Sequence, residues 1–232
     1  VGLIQGASGS TLRSIEEYAV ECSMVKVYGS EVLDYAADEG VQIHGGYGFH
    51  QDYEVEKLYR DARINRIFEG TNEINRLLIP GMLLKRAARG QLNLHEAATE
   101  PAADEEARLV QNAKRIALLT LGMAVRKYGG ALEKQQEILM YLADIIMETF
   151  AMESSWLRSR KKGLAIEMCS VFLRDAMARI EQSARGVLGA CVEGEDLRSH
   201  REALRQLAGC DPLNSVALRR KITERLLARG RY

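Results

Sequence analysis

Apolar positions recur along this chain at the three-and-four spacing of helices, and no segment stands out with the two-residue period of a strand. From Thr11, apolar or small residues fall at Ile15, Tyr18, Cys22, Val25, Gly29, Val32 and Ala36. They form one stripe of a long helix that Ser10 or Thr11 can cap. Gly40, Gly45, Gly46 and Gly48 are expected to break it. A short helix around Tyr53–Arg63 carries Val55, Leu58 and Tyr59, and Ile64–Phe68 after it is too apolar for a solvated loop. Glu69-Gly70-Thr71-Asn72 reads as a turn, with Thr71 or Asn72 capping a helix from about Glu73 through Leu77, Leu78 and Leu84 to Arg89. Pro80 inside that helix predicts a kink or a later start.

The second half predicts three long helices. The first stripe is Leu109, Ala113, Ile116, Thr120 and Ala124, ending at Gly129-Gly130. The next is Leu132, Gln135, Leu139, Leu142, Ile146, Thr149, Met152 and Trp156, ending near Gly163. The third is Met168, Phe172, Ile180, Ala184 and Val187, ending at Gly189. Shorter helices follow around 197–208 and 213–229. Periodicity lapses from Gly90 to Glu105, a stretch holding Pro101 and an acidic group. The pattern therefore predicts an all-α chain in two helical parts: residues 1–90, a linker over 91–105, and a second bundle over 106–232.

Composition agrees with that reading. Of the 232 residues, 47% are apolar and 6% aromatic, with three prolines, so a core is affordable and a β-rich fold is disfavoured. The opening Gly/Ser-rich stretch without an initiator Met suggests a piece of a longer protein. Cys22, Cys169, Cys191 and Cys210 lack metal-ligand spacing, so no metal is expected and reduced thiols of an intracellular protein are the simpler reading. The Met residues and Trp156 at helical spacing read as core, and His44 and His50 as structural or surface residues.

Net charge is zero, which removes the footprint of a nucleic-acid binder. The charge is unevenly spread: residues 1–105 carry 10 basic and 17 acidic groups, and residues 106–232 carry 22 and 15. The basic run Arg158–Lys162 suits a solvated helix end. Lys114, Arg115, Arg126 and Lys127 bracket the apolar run Ile116–Val125. That run either packs inside a bundle or makes peripheral membrane contact through 109–128 as an interfacial helix.

The candidate chemistry lies in Val41–Arg76, VQIHGGYGFHQDYEVEKLYRDARINRIFEGTNEINR. Gly45-Gly46-Tyr47-Gly48 is either a glycine-terminated helix and turn or a backbone open to a phosphate or nucleotide. Glu69, between Phe68 and Gly70, is either a solvated loop charge or a general base strengthened by desolvation. Thr71 and Glu73 fit a helix cap with an acidic first turn.

Taken together, the order and separations of Gln42–Phe49, Val55–Asp61 and Phe68–Glu73 resemble the C-terminal helical domain of the acyl-CoA dehydrogenases, over about residues 12–90. The remainder resembles, in position, length and helical content, the extra helical domain of the very-long-chain branch, and the ending from Asp211 to Tyr232 is similar to bacterial members.

The resemblance implies oxidation of a fatty acyl-CoA to its trans-2-enoyl product with FAD, as in fatty-acid β-oxidation. Glu69 falls at the position of the family's base, Gly70 allows a tight turn beside substrate, and Phe68, where many members have Tyr, lines the acyl pocket. Gln42, Gly45 and Gly46 would meet the ADP portion of an FAD held mainly by a neighbouring subunit. Thr71 and Glu73 would approach its phosphate or ribose region. Many members have Gln at the position of Glu73, and an anion beside a pyrophosphate is unfavourable.

Electron-transfer flavoprotein as acceptor, a homodimer and a cytoplasmic location (mitochondrial in a eukaryote), with membrane association through 109–128, complete the expectation. The family's N-terminal helical and middle β-domains have no counterpart in this sequence, so the chain alone is expected neither to keep FAD nor to turn over. The competing reading is a non-catalytic helical interaction module on the same scaffold.

Overall fold

A computed structural model describes the backbone of residues 11–91, 102–162 and 165–230, and the side chains of 17–91, 102–161 and 165–230. The described residues form eight α-helices and contain no strand. These are α1 (Thr11–His44), α2 (Glu54–Arg63), α3 (Asn72–Ala88), α4 (Glu105–Tyr128), α5 (Gln136–Lys162), α6 (Ile166–Cys191), α7 (Gly194–Ala208) and α8 (Ser215–Arg229). Contacts divide the chain into two compact units, Val1–Lys85 and Arg86–Tyr232, with the boundary in the last turn of α3. The opening Gly/Ser stretch, the capping side chains of Ser10 and Thr11, and most of the expected linker lie outside the described residues.

In the first unit α1 is longer than its glycines suggest. It runs through Gly40, where the space for a Cβ is closed to 3.2 Å by Val55 of α2, and ends at Gly45, whose φ of 60° leaves the helical region. A five-residue 3₁₀ turn, Gly45–Phe49, then leads towards α2. Gly48 is held there by close approach: a Cβ would lie 2.5 Å from the Val41 carbonyl oxygen.

The buried stripe of α1 is not the expected one. Val20, Met24 and Val27 are buried, whereas Cys22, Val25, Val32 and Ala36 are exposed. The buried stripe continues, at helical spacing, into Ser30, Glu31 and Asp34, which meet polar groups of the 64–76 segment. Ile64–Phe68 also departs from expectation. It opens with a 3₁₀ turn at Ile64–Arg66, and Ile64, Ile67 and Phe68 are each nearly half exposed. Pro80 delays nothing: α3 starts at Asn72 and carries Pro80 as a buried interior residue.

The second unit follows the pattern closely in α4, whereas in α6 the start of the expected stripe is offset, with Cys169 and Leu173 buried and Met168 and Phe172 half-buried. Leu109, Ala113, Ile116, Thr120 and Ala124 of α4 are all buried, and α4, α5 and α6 pack on one another. Each fully buried Leu, Ile or Met contributes roughly 1.5–3 kcal/mol by leaving water. Asp104 caps α4 by accepting from the Ala107 N–H at 2.8 Å. Leu132 sits in a 3₁₀ turn before α5 rather than in α5 itself, and α6 continues past Gly189 to Cys191. Helix α7 packs on α4 and α6, and α8 packs on α6.

The apolar run Ile116–Val125 belongs to this core, with Ile116, Leu121, Met123 and Ala124 buried. Leu118 and Leu119 of the run are half-buried, and Val125 is 39% exposed. No helix among the described residues is long and apolar enough to cross a membrane. At the end of α5, Arg160 pairs with Asp104 and lies over the half-buried Trp156 ring, so the basic run is partly neutralised.

Candidate active site

The turn at Glu69 is built by two successive residues in the left-handed region, Glu69 at φ 55° and Gly70 at φ 82°. Left-handed backbone is costly for a glutamate, so its surroundings must hold it there. Before the turn, the Phe68 N–H donates to the Ile64 carbonyl at 3.1 Å. After it, the Ile74 N–H donates to Thr71 Oγ1 at 3.2 Å, so Thr71 caps α3 as one of the two expected candidates.

The Gly70 carbonyl accepts from Lys26 Nζ at 2.7 Å and from Asn75 Nδ2 at 2.9 Å. Lys26 Nζ also donates to Asn72 Oδ1 at 2.8 Å, and Asn72 Nδ2 donates to Ser30 Oγ at 2.9 Å. Arg76 grips Glu31 with both nitrogens at 2.6 and 2.8 Å, and Arg66 pairs with Asp34 at 2.9 Å. Paired, charge-assisted bonds of this kind are the strong ones. Together they lash the turn and the start of α3 to the polar end of the buried α1 stripe.

The Glu69 carboxylate takes no part in this network. It is exposed and makes no hydrogen bond or ion pair among the described residues. Phe68 beside it is 46% exposed. The desolvation expected from the flanking apolar and glycine residues is therefore not supplied by the described residues.

Glu73 is engaged differently. Its own backbone N–H holds its carboxyl below the usual range and outweighs the opposing effect of burial, with the Thr71 hydroxyl adding to the lowering. It is an acceptor-only anion at the helix start.

Gln42, Gly45 and Gly46 lie at the other end of α1 and are exposed. Lys26 and Gln42 sit on one continuous helix, so the Glu69 clamp and the glycine turn are separated by about 24 Å along its axis. Sequence proximity of 42–49 to 68–73 thus does not bring them into one site. An open cleft of about 580 Å³ lies at the glycine end, lined by residues including Gly48, Phe49, His50, Tyr59 and Arg63 and by none of 68–73. His44 bonds back to the Gly40 carbonyl and His50 lies beside Asp52, which fits structural and surface roles.

Lys26, Ser30, Glu31, Asn75 and Arg76 were not singled out from the sequence. The available signal was a helix stripe that turns polar at Ser30 and Glu31 while remaining on the buried face.

Two family patterns, each described as acyl-CoA dehydrogenase, C-terminal domain, match residues 8–84 and 112–206. A probable acyl-CoA dehydrogenase of Bacillus subtilis is 45% identical over 95% of the chain, which corresponds to 41% of that protein. The chain belongs to the acyl-CoA dehydrogenase family.

It is a C-terminal portion of such a protein, joined to a second helical bundle. An acyl-CoA dehydrogenase from Bacillus anthracis, solved in complex with FAD, matches with a TM-score of 0.88 and 45% identity, covering 100% of this chain and 44% of that one. The chain therefore spans about two-fifths of the length of both relatives. The caffeyl-CoA reductase-Etf complex subunit CarC of Acetobacterium woodii is 48% identical over 28% of the chain and 17% of its own length.

The residues present suit an FAD in part. At Gly45 and Gly46 nothing lies within 4 Å of where a Cβ would be, so a ligand can approach the bare backbone. The exposed Gln42 amide offers both donor and acceptor groups. Glu73, held as an anion, suits a ribose hydroxyl and not a phosphate.

Proposed function

We propose that this acyl-CoA dehydrogenase chain is the C-terminal part of an FAD-dependent fatty acyl-CoA dehydrogenase of the very-long-chain branch, acting in fatty-acid β-oxidation. Glu69 is its α-proton base. The observation that carries the reading is a carboxylate with no partner among the described residues, on a left-handed turn whose backbone is pinned from α1. A base must keep its carboxylate free for substrate while its position is fixed. When bound, FAD supplies the acceptor for the hydride leaving the β-carbon.

The chain's own residues divide the remaining work. Glu69 takes the proton from the α-carbon, Gly70 lets the turn lie close to the thioester, and Phe68 borders the acyl chain. Thr71 and Glu73 approach the cofactor from the start of α3, with Glu73 on a hydroxyl. Gln42, Gly45 and Gly46 meet the ADP portion of the FAD of a neighbouring subunit. The separation of about 24 Å along α1 supports assigning them to a different active site from Glu69.

The open exposure of Glu69 and of Val25, Val32, Leu33 and Tyr35 on α1 is consistent with cover from the rest of a longer, dimeric enzyme. Such cover would exclude water from the base. Electron-transfer flavoprotein is the proposed oxidant of the reduced enzyme, a choice supported by the Etf named for the CarC relative.

The deciding experiment uses the full-length enzyme. Glu69→Gln keeps size and removes the base, so anaerobic flavin reduction by acyl-CoA should slow by about 10² or more with FAD still bound. Reduction at the wild-type rate would overturn the assignment.

A further inference from the structure

We propose that Lys26 is the positioning residue for Glu69: its ammonium clamps the Gly70 carbonyl and so fixes the turn from which the carboxylate reaches substrate. The inference rests on the reading of Glu69 as the base and extends it to a residue on another helix. Glu69 sits at φ 55°, a conformation that a non-glycine residue keeps only when its neighbourhood imposes it. The nearest carbonyl after it, that of Gly70, receives two donors. Asn75 is local, one turn into the helix that follows. Lys26 is 44 residues away on α1 and ties the turn itself to a different element.

Three features make Lys26 a directed clamp. Its second bond goes to the Asn72 amide, which is 1% exposed and itself anchored to Ser30, so the ammonium is held at two points. A charged donor on a carbonyl forms a shorter and stronger bond than a neutral one. The same ammonium makes no ion pair with the Glu69 carboxylate, so it holds the backbone and leaves the reactive oxygen atoms free. Lys26 touches neither substrate nor reacting atoms in this reading and acts only through the position of Glu69.

The test uses the full-length enzyme with its FAD. Lys26→Met keeps the stem and removes the donor, and Lys26→Arg restores a charged donor. Two rates are read per bound flavin: exchange of the acyl-CoA α-proton into D2O, followed by NMR, and flavin reduction. Displacing a reacting group by about 1 Å costs about 10²-fold. Lys26→Met should therefore slow both rates by about that factor, with FAD content and the acyl-CoA dissociation constant changed less than about twofold. Lys26→Arg should recover most of the loss.

Wild-type rates per bound flavin in Lys26→Met would overturn the inference, and so would lost FAD with unchanged rates in the flavin that remains. If Lys26→Met does not fold, Lys26→Gln retains one donor and should give intermediate rates; wild-type rates there would equally count against it. Glu69→Gln runs in parallel. An inert Glu69→Gln with a normal Lys26→Met removes this inference alone, while a fully active Glu69→Gln removes the base assignment and this inference with it.

Discussion

Neutralising Glu167 should loosen the C-terminal helix α8 without unfolding the bundle beneath it. Helix α8 has no fully buried residue; Leu218, Ile222 and Leu226 are half-buried at helical spacing. Much of its attachment to α6 is ionic. Glu167 lies 2.9 Å from Lys221 and 3.1 Å from Arg225, and Asp175 lies 2.6 Å from Arg219. Lys221, the Glu167 backbone N–H and Arg225, in that order, pull the Glu167 carboxyl from its usual 4.5 down to about 2. For a group shut off from water that displacement would correspond to about 3 kcal/mol. Lys221 is 59% exposed and Arg225 41%, so solvent screening brings the contribution to about 1 kcal/mol.

Glu167→Gln should then speed hydrogen exchange of the 219–229 amides about fivefold, with the α4, α5 and α6 amides unchanged beyond the first turn of α6. Salt at 1 M should produce a similar loosening in the wild type and little more in the variant. Because the folded carboxyl is depressed, its contribution is complete above about pH 4.5 and is lost as pH falls through about 2. A double Lys221→Gln, Arg225→Gln variant should reproduce the loosening while sparing the first turn of α6. Unchanged protection of 219–229 in Glu167→Gln would refute the reasoning and leave Leu218, Ile222 and Leu226 as the attachment.

Gly48→Ala should lower stability by about 1–3 kcal/mol, because its Cβ would meet the Val41 carbonyl at 2.5 Å, while Gly46→Ala, with open space around it, should cost much less; urea midpoints decide this. At pH 8 Cys22 and Cys210 should react with an aromatic disulfide reagent well before Cys169 and Cys191, which are buried and whose thiols desolvation pushes up; four thiols titrating in a single phase would contradict it.

The second bundle was legible because burial there follows local periodicity. Every residue of the Leu109–Ala124 stripe is buried, and the helix-ending signal at Gly129 holds. The first unit was less legible for a specific reason. Both faces of α1 carry apolar residues, so periodicity alone could not say which one packs within the described residues. Likewise Gly40 and Pro80 are poor helix residues by intrinsic preference, yet each sits inside a helix; at Gly40 the neighbouring Val55 leaves little room for a side chain.

What the sequence by itself determined was the helical class, the turn at Glu69-Gly70 and a cap at Thr71 or Asn72, since spacing, glycine and a short polar side chain act over a few residues. The tertiary structure decided which partners converge from afar: Lys26, Ser30 and Glu31 reach residues more than forty positions away, and one continuous helix sets the glycine turn about 24 Å along its axis from the Glu69 clamp. Such pairings depend on how helices lie side by side, and nothing in local periodicity encodes which polar side chain will meet which carbonyl.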